Sequence, residues 1–448
     1  MQALTLVILI KKEKEDKDHI RDIKGIINWL SLYFLYRSTY MKQKRYTLNP
    51  QQQDIHDNAV KWFRDSPDQL FQIAGAAGTG KSVLIGEILR TLNLRSSSVL
   101  GMSFTGAASL VMKRNGFPDA STIHSALYEI KEYMPSKWEA TQEDVDSRTG
   151  LIKKRRIFKK RDFISPDVKL MFIDEAYMVP RYMVHDIMSF GTKVIVCGDS
   201  HQLDPVGDEP GFLVSGKIHT LTQLMRQAED DPIIYLANRV LENKPIHNGV
   251  YGNNVLVIND DEVIPQMYGI ADVIICGTNK TREIFNNEIR RLAGFAGSPL
   301  PRHGERLICR QNNWDKVNSE HITLVNGLAG RVMNQPDSLD RADKTFTIDF
   351  LPDKCSCWFD HLKVNYEYFM SSPQRRKEIK DMNTRYVKGE LFEYAYALTS
   401  HLSQGQEYDN VFYYEEPLRP QMQSKANYTA ITRAKTSLIY VRHKPRYY

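Results

Sequence analysis

The stretch Ile73–Ala74–Gly75–Ala76–Ala77–Gly78–Thr79–Gly80–Lys81–Ser82 constrains this chain most, because a short apolar run meets a glycine-rich turn there and then opens a helical pattern through Leu94. Strand, tight turn and helix in that order form the repeating unit of an α/β fold. Glycines at 75, 78 and 80 let successive backbone N–H groups face one anion with no Cβ in the way, and the helix adds the positive end of its dipole. On this reading Gly75, Gly78, Thr79 and Gly80 cradle the phosphates of ATP, Lys81 reaches the β- and γ-phosphates, and Ser82 holds Mg²⁺. A chance glycine turn is the alternative, and the Lys-Ser ending argues against it.

A phosphate cradle needs acids beside it. Val168–Ala176 supplies them as an apolar run ending in Asp174 and Glu175. One acid must serve the metal and another stay free as base, so Asp174 is the candidate for Mg²⁺ and Glu175 for polarising the attacking water. The next apolar run, Lys193–Cys197, leads into Gly198–Asp199–Ser200–His201–Gln202. A neutral amide such as Gln202 can feel the γ-phosphate by hydrogen bonding without neutralising it. Leu221–Arg226 then puts an arginine where a first domain should hand over to a second. Upstream, Asn49–Pro50 opens a helix-like segment whose Gln52 can pair with an adenine edge, donating and accepting with one amide; a Gln-rich helix start also needs no ligand.

The strand–turn–helix rhythm repeats with hydroxyl residues at the strand ends. Thr105 follows the run Ser98–Phe104, and Ser121–Thr122–Ile123–His124 comes soon after. Hydroxyls and free helix-start amides at such places can hold a nucleic-acid phosphate, while a capping Thr with a core His gives the same pattern. The rhythm returns at Asp272–Gly277 with Thr278–Asn279 at its end. It returns again at Glu393–Leu398, followed by Thr399–Glu407, the strand Val411–Tyr414 and Asn427–Ala434.

It also stops twice. Between Leu127 and Pro166 two strand-capable arms flank a Ser147–Gly150 turn, an inserted hairpin whose second arm, Leu151–Arg161, sets Phe158 among basic residues. Phosphate contact, a wedge at a duplex junction by Phe158 or Trp138, and a merely solvated hairpin are all open to it. From about Leu307 to Gly389 short β-prone runs alternate with polar turns, which indicates a small β-rich insertion.

At 448 residues the chain outgrows a single core, and these breaks divide it. The expected first domain is 41–126 with 167–220, interrupted by the hairpin over 127–166; the second is 221–306 with 390–448, interrupted by the β-rich insertion over 307–389. Residues 1–40 form an amino-terminal extension, either a helical accessory arm or a segment upstream of a natural start at Met41. The net charge of +6 is mild but bunched at Lys153–Arg156, Lys159–Arg161 and Arg375–Lys377, as a polyanion surface or a solvated face would be. No run approaches the roughly 20 apolar residues of a membrane span. Leu4–Ile10 is followed by its charges, the wrong order for a secretory signal. Five scattered cysteines without zinc-clip spacing read as thiols of a reducing cytoplasm, that of a host cell if the chain is viral.

Taken together, Gln52, Gly75–Ser82, Thr105–Ala108, Ser121–His124, Ile173–Ala176, Gly198–Pro205, Arg226, Thr278–Asn279, Thr399–Glu407 and Tyr428–Ala434 give the chain its family likeness. From about Leu48 to Val441 it resembles the superfamily 1 helicases, and within them the 5′-to-3′ branch that includes RecD and the phage Dda helicase. The resemblance implies two RecA-like domains with ATP between them and single-stranded DNA across their top. The hairpin would be a strand-separating pin and the β-rich insertion an SH3-like accessory domain. Arg226 and Arg433 would enter the cleft and stabilise the transferring phosphoryl group. Gln404, Gly405 and Glu407 would link ATP to the DNA-facing Thr399 and His401, with Thr105, Thr122, His124, Thr278, Asn279 and Phe158 also along the DNA.

The resemblance further implies a motor active as a monomer on single-stranded and forked DNA, with single-strand-binding or replication and recombination proteins as partners. Leu402 stands where the family commonly has Lys, so one cationic contact near DNA is not expected here. Three other readings compete: a translocase that strips proteins from DNA with little unwinding, a phosphate-loop ATPase that remodels protein, and a DNA-binding scaffold without catalysis. Ring ATPases take their arginine from a neighbouring subunit, whereas this chain carries Tyr428–Arg433 itself. Lys81, Asp174, Glu175, Gln202 and Arg433 are all present, which speaks against lost catalysis.

Overall fold

The structure, a computed structural model, describes residues 47–443 apart from 137, 139–151, 153–154, 206, 226–229, 321, 337–338 and 382–386. Arg226, the Ser147–Gly150 turn and the amino-terminal extension therefore lie outside the described residues. Helix α1 (Pro50–Asp65) starts in a capping box: the Asn49 carboxamide accepts from the Gln52 N–H (2.8 Å) and Gln52 Oε1 accepts from the Asn49 N–H (3.1 Å). Pro50 takes the first helical position, where no N–H is needed.

The chain then lays down β1 (Leu70–Gly75), α2 (Lys81–Leu92), β2 (Val99–Ser103), α3 (Gly106–Arg114), β3 (Ser121–Thr122) and α4 (Ile123–Leu127). The hairpin strands β4 (Tyr128–Tyr133) and β5 (Arg155–Lys160) come next, then β6 (Leu170–Asp174), α5 (Arg181–Met188), β7 (Lys193–Gly198) and β8 (Ile218–Leu221). Apart from the hairpin, the strands form one parallel sheet in the order β3-β2-β6-β7-β1-β8. Along β6, Leu170 and Phe172 pack with Leu84 and Ile88, while Met171 and Ile173 pack with Ile123 and Met183 on the other side. Both faces are covered, which is why these strands read as unbroken apolar runs. Because every strand runs the same way, Gly75, Ser103, Asp174 and Gly198 all arrive at one edge.

The second half contributes α6 (Pro232–Leu241), β9 (Gly249–Tyr251), β10 (Val255–Asn259), β11 (Val273–Cys276) and α7 (Asn279–Leu292). After it come β12 (Arg306–Cys309), β13 (Asn313–Val317), β14 (Thr323–Leu324), β15 (Ala329–Val332), β16 (Thr345–Pro352), β17 (Phe359–Asn365), α8 (Tyr366–Met370) and α9 (Pro373–Asp381). The chain closes with β18 (Phe392–Tyr394), β19 (Ala397–Thr399), β20 (Tyr408–Tyr414), α10 (Pro420–Ile431) and β21 (Ala434–Arg442). A second sheet, β19-β11-β20-β21-β10-β9, is parallel except for its edge strand β9. A third, β17-β16-β15-β12-β18, is antiparallel and encloses its own core around Ile348, Phe350 and Phe392. The fold class is thus the expected one, two α/β parallel sheets with a hairpin and a β-rich body inserted.

One boundary differs. The sequence has the α/β rhythm return over the whole of Glu393–Leu398, but the chain changes sheets within it: β18 pairs with β12 (Ile308↔Glu393) and β19 with β11 (Ile274↔Ala397). Asn286 on α7 fixes the crossing, donating to the carbonyls of Tyr394 (3.2 Å) and Ala397 (3.5 Å) and accepting from the Ala397 N–H (2.9 Å). The antiparallel body also touches the first sheet's α3. Leu110 packs into its core, and a Cβ on Gly106 would lie 1.8 Å from a Val325 methyl, so only glycine fits there.

Candidate functional site

The glycine turn joins β1 to α2, whose N-cap, Gly80 (φ +78°), carries no side chain to satisfy the first N–H groups of the helix. Those amides and the helix dipole are what an anion would meet. Lys81 Nζ folds over the turn and donates to the carbonyls of Gly75 (2.6 Å) and Ala76 (3.0 Å). Thr79 is buried and its hydroxyl donates to the Ala76 carbonyl (2.8 Å), bracing the turn from within. Ser82 is exposed in the first turn of α2. Gln52 is wholly buried: Nε2 donates to the Thr79 carbonyl (3.2 Å) and Oε1 is taken by the Asn49 N–H. The amide assigned to adenine is therefore held by the helix cap at its oxygen and braces the phosphate turn with its nitrogen.

Asp174 ends β6 in register with Ser103 and accepts from the Glu175 N–H (3.0 Å). Burial first, then the adjacent Glu175 charge, raises its pKa well above the usual carboxylate range, with Lys81 opposing. Glu175 holds the left-handed conformation (φ +51°), a strained choice for such a residue, and its Oε2 lies 3.5 Å from Gln202 Nε2. Among the described residues Gln202 Oε1 is buried without a hydrogen-bond partner, so an acceptor stands beside the carboxylate, where a water could be oriented. Ser82 and Asp174 offer hard oxygen donors, and a desolvated acid pair calls for positive charge. That chemistry fits Mg²⁺.

From the other half, Gln404 Nε2 donates to the Leu203 carbonyl (2.8 Å) and the Leu203 N–H donates to Thr429 Oγ1 (3.1 Å), so one residue of the segment that follows β7 is bonded both ways across the cleft. Gly405 (φ +70°) lies against α3: a Cβ there would be 2.8 Å from Ala108 Cβ and 3.2 Å from Thr105 Oγ1. Arg433 is buried, with Nε donating to the Thr429 carbonyl (3.0 Å) and its terminal nitrogens to the Gln406 carbonyl (3.2 Å) and Thr432 Oγ1 (3.2 Å), all neutral acceptors of its own half. Glu407 pairs with Lys435 (2.7 Å), and its carbonyl accepts from Lys354 Nζ (2.8 Å). Arg226 lies outside the described residues.

The hydroxyls assigned to DNA all cap helices or turns. Thr105, Thr122, Thr278 and Thr399 accept from the N–H groups of Ala108, Ser125, Thr281 and Leu402 at 3.2–3.3 Å. At Thr278 the structure adds a residue that sequence reasoning passed over. Glu416 Oε2 accepts from the N–H groups of Gly277 (2.6 Å) and Thr278 (2.8 Å), and Oε1 from the hydroxyls of Thr278 (3.0 Å) and Thr281 (2.5 Å). An internal carboxylate thus fills the N-terminus of α7, with Asn279 exposed beside it. Its only signal in the sequence is the Glu415–Glu416 pair just past β20.

His124 sits in an aromatic tier between Phe104 (6.2 Å), Tyr128 (5.5 Å) and Phe158 (5.2 Å) that ties the first sheet to the hairpin. Burial lowers the pKa of His124 and of His401, which keeps both neutral at physiological pH. Phe158 is half exposed and Trp138 almost wholly so. Of the third basic run, Arg375 pairs with Glu367 and Glu378, and Arg376 with Glu283, so two of its cations are engaged internally. No helix among the described residues is long and apolar enough to cross a membrane.

Residues 47–251 match the AAA domain family and residues 394–441 the UvrD-like helicase C-terminal domain family. No curated protein matches the chain. Its fold is similar to that of Bacteroides Pif1 bound to single-stranded DNA, at 16% identity over 88% of this chain and 92% of that one, with a TM-score of 0.50. A Pif1 helicase from a structural study of unwinding at forked duplex DNA by two coordinating copies aligns at 16% identity over the same shares, with a TM-score of 0.51. With an AAA domain on its first parallel sheet and a UvrD-like helicase C-terminal domain on its second, the chain belongs to the superfamily 1 helicases.

Proposed function

We propose that this protein is an ATP-driven motor that moves 5′-to-3′ on single-stranded DNA and separates duplex strands. The observation that carries the reading is the pair of hydrogen bonds that Leu203 makes across the cleft, accepting from Gln404 and donating to Thr429: the segment beyond the acidic edge of one sheet is fastened to motifs of the other in a single chain. The N–H groups of Gly78–Ser82 and the Lys81 ammonium bind the triphosphate, on a turn that Gly75 opens. Glu175, oriented with Gln202, takes the proton of the attacking water, a role worth about 10²–10⁴-fold. Ser82 and Asp174 would hold Mg²⁺, which supplies positive charge against the phosphates. Arg433, and Arg226 with it, would stabilise charge on the transferring group. Such arginines are worth about 10³–10⁵ in rate.

Thr105, Thr122, His124, Thr278, Asn279, Thr399 and His401 would follow the DNA backbone, with bases stacking toward Phe158. Domains over 41–126 with 167–220 and 221–306 with 390–448 would close on ATP and open after hydrolysis, alternating their grip. The 127–166 hairpin would serve as pin and 307–389 as accessory body. Five cysteines outside any disulfide suit a cytoplasmic setting, and action as a monomer beside single-strand-binding proteins completes the reading. The exposed aromatics of the hairpin favour unwinding over simple translocation.

The test is ATP hydrolysis with and without homopolymer single-stranded DNA, followed by unwinding of tailed duplexes. We expect many-fold stimulation and unwinding of the 5′-tailed substrate alone. Hydrolysis indifferent to DNA sinks the motor, and preference for a 3′ tail sinks the direction.

A further inference from the structure

We infer that Tyr428 is a positioning residue through which closure of the cleft sets the phosphate turn; the inference rests on the nucleotide reading above. Tyr428 belongs to α10 in the second half, and its side chain is wholly buried. Its hydroxyl accepts from the Ala77 N–H (2.7 Å), inside the glycine turn, and donates to Asp199 Oδ2 (2.6 Å), just past β7. Ala77 also packs against the core of the second sheet. Among the described residues, no other side chain of α10 hydrogen-bonds the turn that holds Lys81.

The bridge has a direction. A hydroxyl that donates to a carboxylate becomes a stronger acceptor, so Asp199 reinforces the bond to Ala77. Asp199 is buried, and its other oxygen is occupied by the His201 N–H (3.0 Å) and ring Nδ1 (3.0 Å), which leaves Oδ2 to Tyr428. Lys425, Tyr428 and Thr429 stand at i, i+3 and i+4 on one helix face. Lys425 reaches Asp204 (2.6 Å) and Thr429 the Leu203 N–H (3.1 Å), so the three contacts form or break as one when the halves move. Of these only the Tyr428 contact changes the groups that face a phosphate. Separation leaves a turn amide and a buried carboxylate without their shared partner; closure restores both. Hydrolysis competence is thereby tied to the closed form.

Tyr428→Phe keeps the ring and removes the bridge. We expect kcat with saturating single-stranded DNA to fall on the order of 10-fold, the loss of one hydrogen bond to a charged group, while KM for ATP moves less than about 3-fold. The ratio of stimulated to unstimulated rate should fall by a similar factor, because the missing bridge belongs to the closed form. Adding Tyr428→Phe to Asp199→Asn should cost no further rate. A Tyr428→Phe enzyme as fast as wild type overturns the inference, as does an equal loss of stimulated and unstimulated rates, or additivity of the two changes. Should the Phe variant unfold, Asp199→Asn alone must show the same selective loss of stimulation, or the inference falls. A wild-type enzyme that ignores DNA would instead defeat the motor reading itself.

Discussion

Two joints in this molecule are built from opposite chemistry. The cleft between the parallel sheets is closed by hydroxyls and amides, Tyr428, Thr429 and Gln404, the first of them also donating to the buried Asp199 carboxylate; among the described residues one partly exposed ion pair, Lys425 to Asp204, joins them. The joint between the second parallel sheet and the antiparallel body is closed mainly by buried charge: Arg282 of α7 on Glu393 (2.6 Å) and Arg290 of α7 on Glu305 (2.8 Å), with the more open pair Arg376 to Glu283 (2.8 Å) beside them and Arg310 (3.2 Å) joining Glu393 from within the body. A hydroxyl bond contributes about 1 kcal/mol, or about 1.5–3 kcal/mol where its partner is a carboxylate, and a hydroxyl can exchange its partner for water without leaving a charge of its own stranded. Removing one partner of a buried ion pair costs about 3–5 kcal/mol, because the other charge is left stranded. The first joint is suited to part in every cycle and the second to stay shut.

The sharpest break between them is expected from Glu175→Gln in the cleft. Hydrolysis should fall by about 10³-fold, as for loss of a general base, while thermal unfolding stays where it was. A large drop in unfolding temperature would mean that the cleft, too, carries the fold. Glu393→Gln should do the reverse, removing about 3 kcal/mol of stability by chemical denaturation. Burial pushes the Glu393 pKa up, but Arg310, Arg282 and Arg376 outweigh it and hold the group at about 2, below the ordinary 4.5. A depressed folded-state pKa stabilises above the unfolded value, and that stability is lost as pH falls from about 4.5 toward 2. The gap between wild type and variant should therefore be full at neutral pH and narrow through that window. A gap that does not depend on pH would show that Glu393 matters only for its shape.

The contrast also explains what the sequence could disclose. The cleft was legible because its chemistry is local: Gly75–Ser82 needs φ values near +80° at Gly78 and Gly80, and Asp174–Glu175 closes an apolar strand, so spacing alone marks them. The joint was not legible. Glu393 and Arg282 are 111 positions apart, and a charged residue in an apolar stretch gives no sign of which arginine it will meet. The strand break at Ala395–Tyr396 escaped notice for the same reason, since Asn286 fixes it from a distant helix. Gln52 shows what residue type leaves out. Its residue type suits adenine, and the structure adds the protein partners that hold its amide in place, the Asn49 N–H of the capping box at one end and the Thr79 carbonyl at the other.

The smallest effect should come from Lys425→Ala, and its salt dependence sharpens the comparison further. The Lys425–Asp204 pair lies across the cleft at 2.6 Å, but Asp204 is half exposed, so solvent screens it. Such a pair is worth about 0.2–1 kcal/mol, which predicts a loss of DNA-stimulated rate below about 5-fold in low salt. With DNA saturating at each ionic strength, the ratio of variant to wild-type rate should climb toward one as salt rises, because the Debye length shrinks from about 30 Å at 0.01 M to about 3 Å at 1 M. Glu393→Gln, whose charges are shielded from ions, should keep its deficit over the same range. If the Lys425→Ala ratio stays flat while the Glu393→Gln deficit melts away, solvent reaches the second joint rather than the first, and the assignment of moving and fixed joints must be exchanged.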